Sequence, residues 1–366
     1  MKIVILIDWF IYYTVELANA LSQEHDVMLV TRDHNYELSS SFEATSIDDF
    51  LDACLIKKVI REKLRYRQRS LKNFLEVMWV YKRVRSFRPD IIHIQENTDW
   101  RILLIAKMLG FEKVVLTVHD VQIHPGDPEG IPKFFKSVLR KKVRKIIVHG
   151  QFLKKQLASN WRVPEDKIYI LPHGAFSIYK NWDDPSIKEE AKTILFFGRI
   201  SRYKGLDILI KAEPLITQHI PDAKIVIAGS GEDFGPYESL ITNRSRFEIH
   251  NRFISHRDVP KFFRRASVVV LPYIEASQSG VVPIAYIFGK PVVVTNVGSI
   301  PEVVDDGKTG FVVSPNNPED LSRAIIKILE NHELRKTMSA NALAKASAEL
   351  SWNTIAQETA KIYSLN

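Results

Sequence analysis

The sequence has 366 residues, with 51 Lys and Arg against 43 Asp and Glu and a net charge of +8. That length fits about two domains, and 45% apolar with 26% charged residues is the balance of a globular chain rather than a disordered one. The single cysteine, Cys54, excludes an internal disulfide framework and a cysteine-built zinc site, and a reducing compartment is expected.

Ile3–Ile7 meets Asp8 too early for a signal peptide and is expected to form a buried strand. No stretch reaches the roughly 18–20 uninterrupted apolar residues of a membrane-spanning helix. The expected location is cytoplasmic, or peripheral on the inner face of a membrane. Further apolar, largely β-branched runs follow at Val27–Thr31, Ile91–Ile94, Val114–Val118 and Lys145–Val148. The second half adds Thr193–Phe197, Lys224–Ala228, Phe247–His250, Ser267–Leu271, Pro291–Thr295 and Gly310–Val313. Such runs mark strands covered on both faces. Helical patterns alternate with them at Thr14–Leu21, Trp100–Leu109, Leu206–Leu215 and Pro318–Leu329. The alternation predicts two parallel, doubly wound α/β sheets, with a break near 174–192 and a ligand between the domains at the carboxyl ends of the strands.

Four segments carry chemistry. In Phe197-Gly198-Arg199-Ile200-Ser201-Arg202-Tyr203-Lys204-Gly205 a strand end, a turn glycine and two cations precede a helix. Arg199 offers a planar fork of donors and Lys204 a point charge, a pair suited to a diphosphate, with a solvated basic loop as the plain alternative. In Leu271–Thr295 a strand runs into Glu275, Ser277, Gln278, Ser279 and Gly280 ahead of an apolar helix, suiting sugar hydroxyls and an anion; a capping serine and a surface carboxylate are the plain alternative. Ala228-Gly229-Ser230-Gly231-Glu232 is a strand-to-turn G-x-G without the third glycine of a dinucleotide fingerprint. Leu116-Thr117-Val118-His119-Asp120 places His119 at a strand's carboxyl end. No metal motif, Walker loop or nucleophile elbow is present, so no metal and no cofactor are expected.

These residues, in this order, resemble the GT-B glycosyltransferases of family 4 (glycosyl transferases group 1) over nearly the whole chain. Phe197-Gly198-Arg199 through Lys204-Gly205 is similar to the family's G-R-…-K-G. Val297-Gly298-Ser299-Ile300-Pro301-Glu302 through Gly310 is similar to its G-G-x-x-E-x-x-x-x-G-x-x-G, Val118-His119-Asp120 to its active-site histidine motif, and Leu171-Pro172-His173-Gly174 to its P-N-G turn. The resemblance implies a GT-B fold: two Rossmann-like doubly wound domains facing each other across a deep cleft. The N-terminal acceptor-side domain would span 1–174, with a C-terminal helix near 352–366 packing back on it, and the donor domain 190–350. It implies a metal-independent retaining transfer from a nucleotide sugar (UDP- or GDP-sugar) to a glycan or lipid-linked acceptor hydroxyl in cell-envelope glycan synthesis. His119 and Glu275 would be catalytic. Arg199, Lys204, Gly198, Gly280 and Val281 would hold the donor diphosphate, and Ser277, Ser279, Gly229 and Gly231 the sugar or nucleoside region. Domain closure would exclude water.

Two departures stand out. The family's E-x7-E places its second, ribose-binding glutamate on Ile284 and its first on Ala276, one residue past Glu275. The first loop, Asp8-Trp9-Phe10-Ile11-Tyr12-Tyr13, replaces the usual glycine pair with aromatics, so Trp9, Tyr12 and Tyr13 are expected to face the acceptor. A non-catalytic nucleotide-sugar or polyanion binder, and another GT-B enzyme such as an epimerase, are the alternative readings.

The charge surplus is one-sided: residues 1–180 hold 29 basic and 21 acidic residues, and 181–366 hold 22 of each. Lys57–Arg88 carries 12 cations against Glu62 and Glu76, and Ile131–Lys145 carries seven with no acid. Without a nucleic-acid recognition motif, the two stretches, Lys57–Arg88 and Lys133–Lys145, suit an anionic membrane surface that presents the acceptor, with solvated helix faces as the plain alternative.

Overall fold

The computed structural model describes residues 1–7, 10–32, 47–65, 72–95, 100–121 and 133–365, the side chains of 133–135 excepted. The chain divides into two compact units, Met1–Pro172 with Trp352–Asn366, and His173–Ser351.

In the first unit, seven strands are described: β1 (Lys2–Leu6), β2 (Asp26–Arg32), β3 (Ile60–Leu64), β4 (Ile91–Gln95), β5 (Val114–Val118), β6 (Lys145–Val148) and β7 (Ile168–Ile170). They form one parallel sheet in the order β3-β2-β1-β4-β5-β6-β7. Helices α1 (Ile11–Leu21), α2 (Ile47–Cys54), α3 (Asn73–Phe87), α4 (Trp100–Leu109), α5 (Lys133–Lys142) and α6 (Gln151–Trp161) connect them. The C-terminal helix Trp352–Ser364 packs against α1. The central strands β4 and β5 are buried at every position, in keeping with their mostly aliphatic sequences, which His93, Gln95 and Thr117 interrupt. β3 and β7 escape the sequence reading because they are the two edges: Ile-Arg-Glu-Lys-Leu sets three consecutive charged residues between two apolar ones, and Ile-Tyr-Ile is three residues long.

The second unit holds β8 (Thr193–Phe197), β9 (Lys224–Gly229), β10 (Phe247–Asn251), β11 (Val268–Leu271), β12 (Val292–Thr295) and β13 (Gly310–Val313), in the order β10-β9-β8-β11-β12-β13. Its helices are α7 (Leu206–His219), α8 (Gly235–Glu238), α9 (Val259–Arg265), α10 (Val281–Ile287), α11 (Pro318–Glu330) and α12 (His332–Ser347), which makes the C-terminal helix α13. α7 runs on past the predicted stop and carries Pro214 inside it. Helix α11 starts where the sequence suggests, with the Asn317 side chain accepting from the Asp320 amide and Pro318 in the first turn.

Each sheet reverses its direction of growth once, between β1 and β4 in the first unit and between β8 and β11 in the second. In open parallel sheets these switch points are where loops at the carboxyl ends of the strands diverge and leave room for a ligand.

Candidate active site

In the second unit, the loops after β8, β9, β11 and β12 meet at one such point, pulled together by glycines. A Cβ on Gly229 would stand 1.8 Å from the carbonyl oxygen of Gly198, and one on Gly205 would stand 1.9 Å from that of Pro272. Only glycine lets backbones approach so closely. Backbone bonds complete the assembly: Ile274 N–H donates to Tyr203 O at 2.8 Å, Ile200 N–H to Ser230 O at 2.9 Å and Ser299 N–H to Ser277 O at 2.9 Å. Glu232 locks the cationic loop from below, accepting from Ser201 Oγ and from the Arg202 amide, both at 3.0 Å.

This frame brings Gly198, Arg199, Lys204, Gly229, Gly231, Glu275, Ser277, Ser279, Gly280 and Val281 to the carboxyl end of one sheet. The nearest atom to a Cβ built on Gly198 is Cγ2 of Val281, 3.9 Å away, so the turn after β8 faces the start of α10. Arg199 is exposed at the loop's crown. Lys204 is held: its Nζ donates to the Tyr273 hydroxyl at 2.8 Å and lies 4.1 Å from that ring's centroid. Tyr273 in turn stands 3.5 Å from Ser279 Oγ, and that oxygen accepts from the Val281 amide at 3.2 Å. The Val281 N–H, expected to be open to an anion, is thus engaged by Ser279 in this structure. Glu275 is exposed, and Ser277 is buried with its backbone carbonyl tied to Ser299. Ile284, at the position of the expected ribose glutamate, is buried on α10.

Sequence reasoning passed over Tyr273 and Phe176, and took His173 only as part of a turn. The Phe176 ring comes within 2.8 Å of a Cβ built on Gly280, and it packs against His173 at 4.8 Å between centroids. Burial pulls the His173 imidazole down to about 4, so it stays neutral. The tyrosine was visible as the residue after Leu271-Pro272, but nothing in sequence spacing told that it would meet Lys204.

In the first unit His119 follows β5 and is fully buried. Phe10 stacks on it at 3.8 Å and Tyr13 meets it edge-on at 4.9 Å. Both ring nitrogens have protein partners: Nε2 lies 3.0 Å from Gln95 Oε1, and Nδ1 lies 3.1 Å from His149 Nε2. Tyr12 and Tyr13 are nearly fully buried, Tyr12 against Phe50 of α2 and Tyr13 against Trp352 of α13. They are packing residues of α1 in this structure rather than an open stacking surface. Trp9 lies outside the described residues. Burial drives the Tyr13 hydroxyl far above its ordinary range, which keeps it protonated.

The basic stretches also sort themselves. Arg140 is buried, donating to the carbonyls of Asp120 and Val121 and lying 4.3 Å from the Trp161 ring centroid. Lys145 donates to the carbonyls of Tyr363 and Leu365. Arg101 is buried against Glu76 and Asn73. Among the described residues no group of three or more metal-ligating side chains is found, and no helix is long and apolar enough to cross a membrane.

Two parallel-sheet α/β units with their functional loops at the strand ends define the GT-B architecture. Solved structures share it: a glycosyltransferase of Rickettsia africae (TM-score 0.72, 19% identity, covering 99% of this chain and 97% of that one) and the Anabaena protein HepE in complex with UDP (TM-score 0.72, 18% identity, 99% of each chain). The glycosyl transferases group 1 model matches residues 160–345 and the glycosyltransferase family 4 model residues 12–175, and the chain belongs to this glycosyltransferase family. Among curated relatives, an uncharacterised glycosyltransferase of Methanocaldococcus jannaschii is 29% identical over 60% of this chain and 60% of its own length. The alpha-D-kanosaminyltransferase of Streptomyces kanamyceticus is 25% identical over 78% of this chain and 81% of its own. The phosphatidyl-myo-inositol mannosyltransferase of Mycolicibacterium smegmatis is 26% identical over 75% and 70%. The chain is a glycosyltransferase; relatives named as sugar transferases do not favour the epimerase or binding-only readings.

Proposed function

We propose that the chain transfers a sugar, with retention of anomeric configuration, from a nucleoside diphosphate donor of the UDP or GDP kind to the hydroxyl of a glycan or lipid-linked acceptor. The observation that carries this is the Arg199–Lys204 loop. It is a pair of cations on a backbone turn immobilised by Gly205 against Pro272 and by Gly229 against Gly198, with Lys204 resting on the Tyr273 hydroxyl rather than on a carboxylate. A preorganised cationic pair suits charge that develops on a departing diphosphate, because nothing need rearrange as the bond breaks. Arg199 would grip two oxygens at once and Lys204 would act as a point charge. Gly198, Gly280 and Val281 would close round the same diphosphate, Ser277 and Ser279, with Glu275, would line the sugar, and Gly229 and Gly231 would lie in the sugar or nucleoside region. His119 would serve the transfer centre from the first unit. HepE, solved with UDP, supports the donor class, and the mycobacterial mannosyltransferase, named for a phosphatidylinositol acceptor, supports a lipid-linked one.

The acceptor reading gains from α3. Phe74 and Leu75 are 67% and 73% exposed and Trp79 45%, beside exposed Lys72, Lys82 and Arg83. A helix presenting aromatic and aliphatic side chains among cations fits the interface of an anionic membrane, where each cation contributes about 1 kcal/mol. The second basic stretch contributes less than its count suggests, since Arg140 and Lys145 are committed to backbone carbonyls.

The test is a calorimetric panel of UDP-, GDP- and ADP-sugars against wild type, Arg199→Ala and Lys204→Ala. Binding of one donor class that both variants weaken is the expected result; equal binding by all three proteins would refute the diphosphate assignment. Sedimentation with anionic and neutral vesicles, comparing wild type with Phe74→Asp/Leu75→Asp, tests the membrane surface in the same way.

A further inference from the structure

The two faces of the first unit's sheet differ in a way packing alone does not require. On one face, Leu6, Ile92, Ile94, Leu116, Val118, Ile146 and Val148 form an apolar surface across the central strands. Side chains alternate along a strand, and the other face carries His93 and Gln95 on β4, then Thr117 on β5 and His119 just beyond it, all fully buried, with His149 after β6 nearly so. Burying five polar side chains where aliphatic ones would pack is costly unless each is hydrogen-bonded.

They are bonded in a single chain. Tyr363 OH on α13 lies 2.6 Å from His93 Nδ1, and His93 Nε2 lies 2.7 Å from Thr117 Oγ1 and 3.3 Å from the Gln95 amide nitrogen. The other end of that amide, Gln95 Oε1, lies 3.0 Å from His119 Nε2; His119 Nδ1 lies 3.1 Å from His149 Nε2, and His149 Nδ1 lies 3.0 Å from the Leu171 carbonyl.

Counting hydrogens along the chain shows what it does. The Leu171 carbonyl only accepts, so His149 Nδ1 carries a hydrogen, and a neutral His149 offers a lone pair at Nε2. His119 Nδ1 therefore donates to it. If Gln95 presents its oxygen, His119 Nε2 must also carry a hydrogen, and the His119–His149 pair then holds one proton more than two neutral rings, an imidazolium at His119 when His149 is the neutral partner. If the amide is turned over, its NH2 donates to His119 Nε2, and the ring is neutral. The same turn reverses the tautomer of His93, from Nδ1–H donating to Tyr363 to Nε2–H donating to Thr117. Both arrangements are compatible with the contacts named, His93 Nε2 sharing its one lone pair or one hydrogen between Thr117 at 2.7 Å and the Gln95 amide at 3.3 Å, with no heavy atom moved except by exchange of the amide's two ends.

We propose that Gln95 is a positioning residue that sets the protonation of His119, its amide orientation and the charge on that ring being one two-state element. His149 fixes which nitrogen of His119 always carries hydrogen. This rests on the reading of His119 as a group of the transfer centre, where a ring that charges without moving suits a step in which negative charge appears on a diphosphate and is then lost.

The groups around the ring are consistent with His119 being the member that changes. Burial holds His93 down at about 3, and it holds the Tyr13 and Tyr363 hydroxyls far up, so all three stay neutral. Phe10 and Trp352 are uncharged. Among the described residues, the charged groups on neighbouring elements include Asp120, next in the chain, Arg140 on α5, whose guanidinium donates to the Asp120 and Val121 carbonyls, Lys145 on β6, whose ammonium donates to the Tyr363 and Leu365 carbonyls, Glu16 on α1, and Glu358 and Lys361 on α13.

The experiment is a pH titration of histidine ring 15N signals in the full-length protein without substrate, for wild type, Gln95→Glu and Gln95→Met. A carboxylate accepts through both oxygens and cannot turn over into a donor, so Gln95→Glu should keep both His119 nitrogens protonated to a pH about one unit or more above wild type. Gln95→Met, with neither donor nor strong acceptor, should leave His119 with hydrogen on Nδ1 alone at a pH where wild type still carries both. An identical His119 titration in wild type and Gln95→Glu overturns the proposal, and that comparison stands by itself if Gln95→Met does not fold. The pH–rate profile of sugar transfer separates the two readings. A profile displaced in step with the 15N midpoint supports both, whereas a displaced midpoint with an undisplaced profile upholds the Gln95 element and removes His119 from the transfer centre.

Discussion

The ammonium of Lys204 donates to the hydroxyl of Tyr273 at 2.8 Å, across 69 positions of sequence, with the tyrosine ring 4.1 Å beneath it. A lysine side chain loses close to 2 kcal/mol of rotamer freedom when it is fixed, and here the fixing is done before any donor arrives. The contact is therefore preorganisation of the proposed diphosphate site.

Replacing Lys204 with Ala removes a charge-assisted contact of about 1.5–3 kcal/mol, so donor affinity should fall about 10- to 150-fold. Tyr273→Phe keeps the ring and the charge and loses only the anchor, so its loss should be several-fold smaller. Isothermal titration with the preferred nucleotide sugar measures both; equal losses in the two variants would mean that the phenol itself contacts the donor.

Gly229→Ala should destabilise the second unit while leaving the site's chemistry in place. Its Cβ would stand 1.8 Å from the Gly198 oxygen, at a backbone φ of 155°, so β8 and β9 must part at their carboxyl ends. A cost of about 2–3 kcal/mol or more corresponds to a fall in melting temperature of roughly 4–12 °C for a unit of this size. A thermal scan showing no change would indicate that the two turns are not in contact.

Arg101 and Glu76 form an ion pair in the core of the first unit, 2.9 Å apart, with Asn73 as a second acceptor. Breaking it from one side strands a buried charge: Glu76→Ala should cost about 3–5 kcal/mol, whereas the double change Glu76→Leu/Arg101→Met should cost markedly less. Urea unfolding of the three proteins decides the matter. A double variant as unstable as the single one would show that the pair contributes net stability beyond avoiding a lone charge.

Acid should destabilise the fold through its buried histidines. Burial lowers His93 to about 3, and His173 and His256 to about 4. Near pH 6.5 and below, the unfolded chain takes up protons that the folded chain refuses, so stability is fully present above that pH and is lost as pH falls toward 4. Each histidine contributes a slope of about 1.4 kcal/mol per pH unit in that window. Unfolding free energy measured from pH 8 to pH 4 should be level at first and then fall; a level curve down to pH 4 would contradict these environments. His256→Phe, which removes one such group, should flatten the slope.

The central strands were legible because strands covered on both faces must be apolar at consecutive positions, and Val114–Val118 and Thr193–Phe197 were delimited to the residue. The edge strands β3 and β7 were not, because an edge obeys no such constraint: Ile60, Arg61 and Ile170 are exposed. The donor loop could be read locally, since Gly198, Arg199, Lys204 and Gly205 lie within one turn of chain. Tyr273, Phe176 and His173 could not, because each acquires its place through a contact with a loop far away in sequence.

Charge shows the same division. Composition located the surplus in the first half of the chain, but which cations face solvent is a matter of packing. Arg101 and Arg140 are buried, Lys145 is bound to the C-terminal helix, and Lys82 and Arg83 stand exposed beside Phe74 and Trp79. The sequence by itself determined two doubly wound sheets and a cationic turn after a strand, because periodicity and glycine placement act over a few residues. Tertiary structure alone decided the polar chain from Tyr363 through His93, Gln95 and His119 to His149, three of whose four links span 270, 24 and 30 positions. Hydrogen bonds of that reach depend on strand register and helix docking, which no local pattern encodes.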